Sequence, residues 1–303
     1  MIEVPQNQDL QIPYDVSLSL KREDLIHPYI SGNKYRKLKY NIAFAKANNY
    51  TTLLTFGGAY SNHIAATAVA GMKYDFNTIG IIRGEELAMD LDKTLEENTT
   101  LAQAVSCGMK LIFISRESYK QKEEASFLAS LKKEYPEAYI LPEGGTNDLA
   151  IKGCEEILTL QDLSFDYICC AMGTGGTIAG ICNASSPSQK VIGFPALKGD
   201  FLKSELQKMT NTSHWELQQA YHFGGYAKVT QELVNFINEF NKTYHILLDP
   251  IYTGKMMYGI FDLISKGYFP QNSRILAIHT GGLQGVAGIN KKLEKKGLQT
   301  IAI

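Results

Sequence analysis

The sequence predicts an α/β protein built on mostly parallel sheets, and three observations support this fold class. Short apolar runs rich in β-branched residues alternate with helix patterns, at the spacing of parallel strands joined by crossover helices. Glycine-rich turns follow two of the predicted strands, at residues 57–58 and 173–176. The 303 residues are also enough for about two domains, each with a hydrophobic core of its own.

The first half of the chain alternates predicted strands and helices. Residues 16–21 alternate apolar and polar side chains, as a half-buried strand does, and Asn33 is a good N-cap for a helix that ends at residues 48–49. The later strands are apolar and β-branched, whereas the helices between them are polar or rich in alanine. These strands are 51–56, 78–82, 110–114 and 138–141, and these helices are 64–71, 95–106 and 118–134.

The second half repeats this alternation after a break at residues 142–147. Its predicted strands are 166–172, 190–194 and 274–279, and its predicted helices are 149–160, one beginning with 177–182, 230–241, 256–266 and a short one after residue 282. Residues 198–225 are weakly patterned and receive no assignment. Because no linker marks a domain change, we expect the chain to cross between domains more than once. The expected small domain, residues 50–150, is inserted into a large domain of residues 1–49 and 151–303.

Composition predicts an ordinary soluble, cytoplasmic protein with no nucleic-acid or membrane partner. The formal net charge is -1, with 45% hydrophobic and 20% charged residues. The 5 cysteines form no C-x-x-C pair and have no metal-ligand partners at suitable spacing, so we expect reduced thiols and no metal. Residues 1–5 lack a leader pattern, and no apolar run is long enough to span a bilayer.

The stretch from Ser31 to Leu38 carries the first candidate catalytic group, Lys34. If Asn33 caps the helix, Lys34 lies in the first turn, where the positive end of the helix dipole disfavours an ammonium charge. A lower amine pKa makes lysine a better nucleophile toward a carbonyl carbon. Lys37 shares that helix face and could bind an anion nearby. Taken alone, either lysine is more often a solvated surface charge, since the chain has 30 Lys and Arg residues.

A second candidate site is a glycine-rich turn between a predicted strand and a predicted helix. Such a turn exposes backbone N–H groups to an anion, and the helix dipole adds to the attraction. Ile178 stands where the dinucleotide motif G-x-G-x-x-G needs its third glycine, and the lysine of a Walker motif is absent. The turn therefore predicts a cup for a single phosphate group, with a tight turn that binds no ligand as the alternative. The cup consists of Gly173, Thr174, Gly175, Gly176 and Thr177.

The third candidate site is Ser61-Asn62-His63, at the start of a predicted helix. Its backbone amides could bind a carboxylate, the Asn62 side chain could donate to a phenolate-like oxygen, and Ser61 could transfer a proton. Ordinary structural roles are the alternatives: Ser61 as an N-cap, and His63 as a partly buried histidine whose hydrogen bonds are satisfied.

Three loop residues complete the set. Thr280 follows the last predicted strand, at the end where α/β sheets place ligands. Tyr226 and Tyr252 lie in Gly- or Pro-containing loops, where a phenol can act as acid or base, although the chain has 17 tyrosines. Together the candidates suit a cofactor with an aldehyde, a phenolic oxygen, a ring nitrogen and one phosphate, which is pyridoxal 5'-phosphate. Lys34 would join the aldehyde, Asn62 would meet the phenolic oxygen and Thr280 would meet the ring nitrogen.

Nearly the whole chain resembles the 1-aminocyclopropane-1-carboxylate deaminase / D-cysteine desulfhydrase family of fold-type II pyridoxal-phosphate enzymes. The motifs that carry this resemblance are residues 21–25, 31–38, 61–63, 144–147, 173–180, 249–255 and 279–282. The resemblance implies a tryptophan synthase β-like fold with two three-layer domains, and it implies a homodimer.

The resemblance also implies individual roles. Lys34 would be the lysine that binds the cofactor covalently, and Lys37 would assist the phosphate. Asn62 would contact the cofactor. Ser61 would act in catalysis and bind the substrate carboxylate, together with Asn62 and His63. The two loop tyrosines match positions that act in the active site of the family.

The chain departs from the family pattern at several positions. Deaminases that open the cyclopropane ring typically carry a glutamate where this chain has Thr253, and here Thr280 is the expected partner of the ring nitrogen, as in the desulfhydrase branch. A neutral hydroxyl leaves the ring nitrogen less protonated, which weakens the electron sink and favours elimination of a good leaving group such as thiolate. Tyr60 and Ala65 replace a Gln and an Arg common in the family and alter the expected substrate pocket.

We therefore expect a pyridoxal-phosphate-dependent lyase that acts on a small amino acid by α,β-elimination, with D-cysteine converted to pyruvate, sulfide and ammonia. Deamination of 1-aminocyclopropane-1-carboxylate to 2-oxobutyrate is the first alternative. A non-catalytic pyridoxal-phosphate-binding protein and a nucleotide-binding α/β protein are the others.

Overall fold

The structure, a computed structural model, describes residues 5–30 and 32–303. Residues 1–4 and Ser31, on which the predictions for the N-terminus and the lysine stretch partly fall, lie outside this range. The strands are β1 (Asn7–Leu10), β2 (Ser17–Lys21), β3 (Thr52–Gly58), β4 (Asn77–Arg83), β5 (Met109–Ile114), β6 (Ala138–Ile140), β7 (Tyr167–Met172), β8 (Lys190–Pro195), β9 (Trp215–Leu217) and β10 (Arg274–Ile278).

The helices alternate with these strands along most of the chain. They are α1 (Asn33–Ala47), α2 (Asn62–Tyr74), α3 (Leu91–Glu97), α4 (Thr99–Ser106), α5 (Arg116–Lys120), α6 (Ala125–Glu134), α7 (Asp148–Glu155), α8 (Gly176–Ala184), α9 (Phe201–Met209), α10 (Gln231–Tyr244), α11 (Thr253–Ser265) and α12 (Gln284–Glu294).

The strands form two sheets, which confirms the predicted α/β class with mostly parallel pairing. The 6-stranded sheet has the order β1-β2-β10-β7-β8-β9, and its only antiparallel pair in the described residues is β1 with β2. The 4-stranded sheet, β5-β4-β3-β6, is parallel throughout. Because parallel neighbours cannot be joined by a tight hairpin, the connections between them are crossover helices.

Helices cover both faces of each sheet, as the family resemblance implies. Along β7, Cys169 and Ala171 belong to a core with α10, α11 and α12, whereas Ile168 and Cys170 belong to a core with α7, α8 and α9. This division follows from the strand geometry, since successive side chains point to opposite faces. The smaller sheet is packed in the same way, with α1, α2 and α4 on one face and α5 and α6 on the other.

Several predicted helix boundaries were wrong, and local hydrogen bonds explain the differences. The 95–106 helix is two helices, because the Asn98 side chain accepts a hydrogen bond from the Leu101 N–H at 3.0 Å and starts α4. The 118–134 helix is also two, α5 and α6, separated by a turn over residues 121–124. The 149–160 helix ends at Glu155. Strands β1 and β9 and helix α9 had no prediction; α9 and β9 lie in the unassigned 198–225 region.

Helix α1 packs against the 4-stranded sheet, where its Leu38 and Ile42 share a hydrophobic core with Leu53 of β3. The predicted division places residues 1–49 in the large domain, whereas this packing joins α1 to the 4-stranded sheet of the small one. The division into residues 1–49 and 151–303 on one side and 50–150 on the other stays a prediction.

The cysteines are free thiols, and burial makes four of them unreactive. Cys154, Cys169, Cys170 and Cys182 are buried, whereas Cys107 is half-buried. Burial raises the pKa of the Cys154 thiol to about 11, so little reactive thiolate is present near neutral pH. No helix in residues 5–30 and 32–303 combines the length and apolarity that crossing a bilayer requires.

The carboxyl ends of the parallel strands place the predicted site residues in one region. Gly58 ends β3, Met172 ends β7, and Thr280 follows β10 by two residues. Ligands in open α/β sheets bind beyond the carboxyl ends of the strands.

Candidate active site

A cavity of about 520 Å³ is lined by residues from both sheets, among them Gly58 of β3 and Met172 of β7. Its volume is in the range of small-molecule and cofactor sites. Most of the residues predicted from the sequence line it: Lys34, Lys37, Ser61, Asn62, His63, Gly173, Thr174, Gly175, Thr177, Tyr226, Tyr252 and Thr280. Gly176 is not a lining residue; it is the first residue of α8, immediately behind the turn.

Lys34 lies in the first turn of α1, as predicted, although the cap is not the one expected. The N-cap is Gly32, without a side-chain cap, and Asn33 is the first helical residue. Its side-chain amide instead donates to Thr177 Oγ1 at 2.7 Å. Lys34 is only 8% exposed, and burial, followed by the charge of Lys37, lowers the pKa of its amine to about 7. A neutral, nucleophilic amine is therefore available near neutral pH.

We expect the reactivity of Lys34 to rise through pH 7. In protein freed of any bound aldehyde, trace acetic anhydride should label the Lys34 amine with a midpoint near pH 7, because its pKa is lowered to about 7 and only the neutral amine reacts. A free lysine peptide in the same tube, with a pKa of about 10.4, provides the internal reference. Peptide mass spectrometry measures both. A Lys34 midpoint that coincides with the reference would contradict the burial of this amine.

Gly32 brings the start of α1 against the loop that carries Thr280. Its φ of +57° and ψ of -135° lie in a region that L-residues with side chains avoid. A Cβ built on Gly32 would lie 1.9 Å from the Thr280 carbonyl oxygen, so only glycine leaves room for that oxygen. The Asn33 N–H donates to the same oxygen at 3.2 Å. This contact holds the start of α1 against the Thr280 loop, so that Lys34 and Thr280 line the same cavity.

The predicted anion cup has the geometry of an open helix N-terminus. Gly175 is the N-cap of α8 with φ +89°, and no backbone hydrogen bond among the described residues uses the N–H of Thr174 or Gly175. Lys37 is 2% exposed and donates to Thr146 Oγ1 at 2.8 Å, which in turn lies 2.6 Å from Thr174 Oγ1. These N–H groups, hydroxyls and one ammonium make an anion-binding surface.

Ser61 and Asn62 begin α2 beside this cup. Ser61 is the N-cap, and its hydroxyl oxygen accepts from the Ile64 N–H at 3.4 Å, which is a long hydrogen bond. The Asn62 side-chain amide nitrogen lies 3.4 Å from the position that a Cβ on Gly282 would occupy. The two predicted segments, residues 61–63 and 279–282, therefore meet across the cavity.

His63 is buried, and its hydrogen bonds determine its tautomer. The Thr55 hydroxyl donates to the Leu141 carbonyl oxygen at 3.1 Å, and it lies 2.8 Å from His63 Nε2. Since the hydroxyl has one proton, it must accept from Nε2–H, which leaves His63 Nδ1 as an acceptor. That atom has no partner in the described residues, although His63 is only 1% exposed. Burial, with the charges of Lys34 and Lys37, holds the pKa of the His63 imidazole well below its ordinary value.

The two predicted tyrosines lie next to each other on the cavity wall. Their ring centroids are 6.3 Å apart with an interplanar angle of 60°. Tyr252 is the N-cap of α11 and packs on Gly173, whereas Tyr226 is 46% exposed on an irregular loop. Burial, together with the neighbouring Tyr226, raises the pKa of the Tyr252 phenol well above its ordinary value. The phenol therefore stays protonated and can donate a hydrogen bond.

Sequence reasoning missed several residues that line or support the cavity. Arg83 ends β4, and its guanidinium carbon lies 5.6 Å from the centroid of the Tyr119 ring. Arg83, Glu143 and Lys292 all line the cavity. The sequence did contain one indication for Arg83: it directly follows the predicted strand 78–82, at the end of a strand where ligands bind in α/β sheets. Thr146 lies in a motif that the resemblance used, but nothing in the sequence placed it beside Lys37.

Thr253 does not line the cavity. It is fully buried, and its hydroxyl donates to Asp249 Oδ2 at 2.6 Å. Of these two threonines, Thr280 lines the cavity, and its role as partner of a cofactor ring nitrogen stays a prediction. Within residues 5–30 and 32–303, no group of three or more His, Cys, Asp or Glu side chains is arranged to hold a metal ion.

The chain is similar to known proteins over most of its length. Residues 6–281 match the family model described as "Pyridoxal-phosphate dependent enzyme". A mitochondrial protein of Arabidopsis thaliana, the bifunctional D-cysteine desulfhydrase/1-aminocyclopropane-1-carboxylate deaminase, is 33% identical over 302 residues, with 91% of this chain and 74% of the relative covered. A Pyrococcus horikoshii protein, named provisionally as a 1-aminocyclopropane-1-carboxylate deaminase, is 31% identical over 90% of this chain and 87% of its own length.

Solved structures show the same fold. The crystal structure of an ACC deaminase homologue aligns with a TM-score of 0.82 at 29% identity, over 97% of this chain and 95% of that one. The O-acetylserine-dependent cystathionine beta-synthase of Helicobacter pylori aligns with a TM-score of 0.69 at 15% identity, over 92% and 93% of the two chains. At that identity the likeness concerns the fold alone.

Proposed function

Because this chain belongs to the family of pyridoxal-phosphate-dependent enzymes, among the 1-aminocyclopropane-1-carboxylate deaminases and D-cysteine desulfhydrases, we propose that it eliminates the β substituent of a small amino acid, with D-cysteine as substrate. The products are pyruvate, sulfide and ammonia. The observation that carries this proposal is the buried amine of Lys34, with a pKa lowered to about 7, in one cavity with an open anion cup and a neutral Thr280.

The residues present fit pyridoxal phosphate. Its phosphate needs several N–H and O–H donors, and the start of α8 offers backbone N–H groups, the Thr174 hydroxyl and, through Thr146, the Lys37 ammonium. Its ring needs space beside the side chains that line the cavity, and a Cβ on Gly173 or Gly282 would crowd two of them, Tyr252 at 3.0 Å and Asn62 at 3.4 Å. The reactive amine stands at the same cavity.

When bound, pyridoxal phosphate supplies the electron sink for charge that develops at the substrate α-carbon. Lys34 would hold the cofactor and move the proton at that carbon, which suits an amine whose pKa lies near neutral pH. Asn62 would donate to the phenolic oxygen, and Thr280 would bond to the ring nitrogen. Lys37 and the turn from Gly173 to Thr177 would hold the phosphate.

Ser61, Asn62 and His63 would bind the substrate. The first N–H groups of a helix have no partner within it, so the start of α2 can hold a carboxylate next to Lys34. The Ser61 hydroxyl makes only a 3.4 Å hydrogen bond to the Ile64 N–H, so it can exchange that bond for one with the substrate and assist proton transfer. Tyr226 and Tyr252, whose raised pKa keeps both phenols protonated, would donate hydrogen bonds to the substrate in the same cavity.

Thr280 favours D-cysteine over the cyclopropane amino acid. The Asp249 carboxylate is already bonded to the backbone N–H groups of residues 251–253 and to the Thr253 hydroxyl, so it is occupied within its own loop. Thr280 is therefore the polar side chain left to meet the ring nitrogen, and a neutral hydroxyl supports only modest charge build-up at the α-carbon. Thiolate leaves easily under those conditions.

The relatives support a second candidate, deamination of 1-aminocyclopropane-1-carboxylate, since their names carry that activity. A cofactor-binding protein without turnover is the third. A homodimer and a cytoplasmic location remain predictions that rest on the family resemblance and on the cysteine content.

A side-by-side assay tests the proposal. Purified protein with pyridoxal phosphate is incubated with D-cysteine, L-cysteine or 1-aminocyclopropane-1-carboxylate, and sulfide, pyruvate and 2-oxobutyrate are measured. We expect sulfide and pyruvate from D-cysteine, with the other two substrates at least about 10-fold lower in kcat/KM. Faster release of 2-oxobutyrate would establish the second candidate. Bound cofactor without any 2-oxo acid, across a panel of D- and L-amino acids, would establish the third.

A further inference from the structure

Lys255 is a buried cation that the proposed reaction does not use. It lies in the first turn of α11 and is 1% exposed. Its ammonium donates to the His222 carbonyl oxygen at 2.9 Å and to the Gly225 carbonyl oxygen at 2.8 Å. Burial lowers the pKa of this amine to about 8. Burying a charged ammonium group costs desolvation free energy, and the hydrogen bonds of the group must offset that cost.

The two carbonyls belong to residues 221–228, which we call the Tyr226 segment. Its backbone is unusual, because Phe223 and Ala227 have φ values of +52° and +54°, and Gly224 and Gly225 have +89° and +114°. Non-glycine residues in this region are strained by about 1–3 kcal/mol each and keep their conformation only when surrounding contacts impose it. Tyr226 and Ala227 are the residues of the segment that line the cavity.

One face of α11 supplies those contacts. The Tyr221 hydroxyl donates to Asp262 Oδ2 at 2.7 Å, and the Phe223 ring stands nearly perpendicular to Tyr258 with centroids 4.9 Å apart. The anchoring positions on α11 are 255, 258 and 262, which recur every three or four residues and therefore share one helix face. Lys255 bonds to Gly225, the residue just before Tyr226. On α11 it lies about one helical turn after Tyr252.

From this geometry we propose that Lys255 is a positioning residue that holds the Tyr226 segment on α11, so that the phenol of Tyr226 meets Tyr252 at the cavity. This inference rests on the proposed function, since it gives Tyr226 a part in the reaction. It deepens that function by naming the contact that sets the distance between the two tyrosines.

Two replacements of Lys255 separate its hydrogen bonds from its bulk. Lys255→Met keeps an unbranched side chain and removes the donors, whereas Lys255→Gln keeps an N–H₂ group. Folding should survive either change, because the His222 and Gly225 carbonyls also accept from the N–H groups of Gly225 and Lys228 at 3.0 and 3.2 Å. Lys242→Met, on the exposed surface of α10, is the matched control.

We expect Lys255→Met to lower kcat by about 10–100-fold, since small misplacements of reacting groups have effects of that size. Hydrogen exchange of the backbone amides of residues 223–228 should become faster, while the visible absorbance of the bound cofactor stays unchanged. Lys255→Gln should recover most of kcat, and Lys242→Met should match the parent protein.

A double-mutant cycle with Tyr226→Phe decides whether Lys255 acts through Tyr226. We expect Lys255→Met to have little further effect on kcat once the phenol hydroxyl is gone. An equal loss in both backgrounds, or unchanged exchange of residues 223–228 in Lys255→Met, would overturn the positioning role. If Tyr226→Phe alone leaves kcat unchanged, the proposed role of Tyr226 is wrong and the positioning role falls with it, while the rest of the proposed function stands.

Discussion

Lys34→Ala is expected to lower kcat by at least about 10³-fold. The variant removes an amine that is buried in the cavity and has a pKa lowered to about 7, and proton transfer by a positioned group contributes about 10²–10⁴-fold in enzymes. The visible absorbance that reports covalent attachment of the cofactor should disappear with it. Steady-state kinetics with D-cysteine and an absorbance spectrum of the purified variant measure both effects.

The matched control for this variant is Lys39→Ala. Lys39 lies on the same helix, but its side chain is 44% exposed and pairs with Glu156 on the surface. Its removal should change kcat less than about twofold, because exposed ion pairs contribute little. Full turnover in Lys34→Ala would end the proposal that this lysine holds the cofactor.

Gly32→Ala is expected to disable the site by moving the start of α1. The new methyl group would lie 1.9 Å from the Thr280 carbonyl oxygen, and alanine avoids a φ of +57° combined with a ψ of -135°. Strain and overpacking together should reduce the free energy of unfolding by about 2–5 kcal/mol. Because Lys34 and Thr280 both border this contact, the affinity for pyridoxal phosphate should fall at least about 10-fold.

Gly108→Ala separates the backbone strain from the steric overlap. Gly108 also has a positive φ, +85°, but a Cβ there would meet nothing within 4 Å. Its replacement should cost about 1–2 kcal/mol and leave the affinity for the cofactor unchanged. Thermal unfolding and titration with pyridoxal phosphate compare the two variants. Equal effects on cofactor affinity would show that the contact between Gly32 and Thr280 has no special role.

The sequence by itself was enough to predict the fold class, which the structure confirms, and to name candidate residues of the site. Alternation of β-branched and helical patterns is a local property, and it placed every strand of the small sheet and the four inner strands of the large one, β2, β10, β7 and β8. The glycines at 173–176 and Asn62 were identifiable because turn and helix-start preferences depend on neighbouring residues. Lys34 was identifiable because its position in a helical first turn follows from the residues around it.

The ends of several helices and the N-cap of α1 depend on hydrogen bonds that the helix propensities of neighbouring residues do not predict. Asn98 starts a new helix where the sequence pattern continues, and Asn33 is not the cap of α1, because its amide bonds to Thr177 instead. In both cases a specific hydrogen bond outweighed a helix preference of a few tenths of a kcal/mol per residue.

Only the tertiary structure decided which groups meet. The contact between Gly32 and Thr280 and the hydrogen bonds from Lys255 to the Tyr226 segment each join residues far apart in the chain. Burial decides whether an amine is charged, and burial is set by the packing of several elements together. A sequence can therefore name a lysine as reactive, but the fold determines its pKa and its partners.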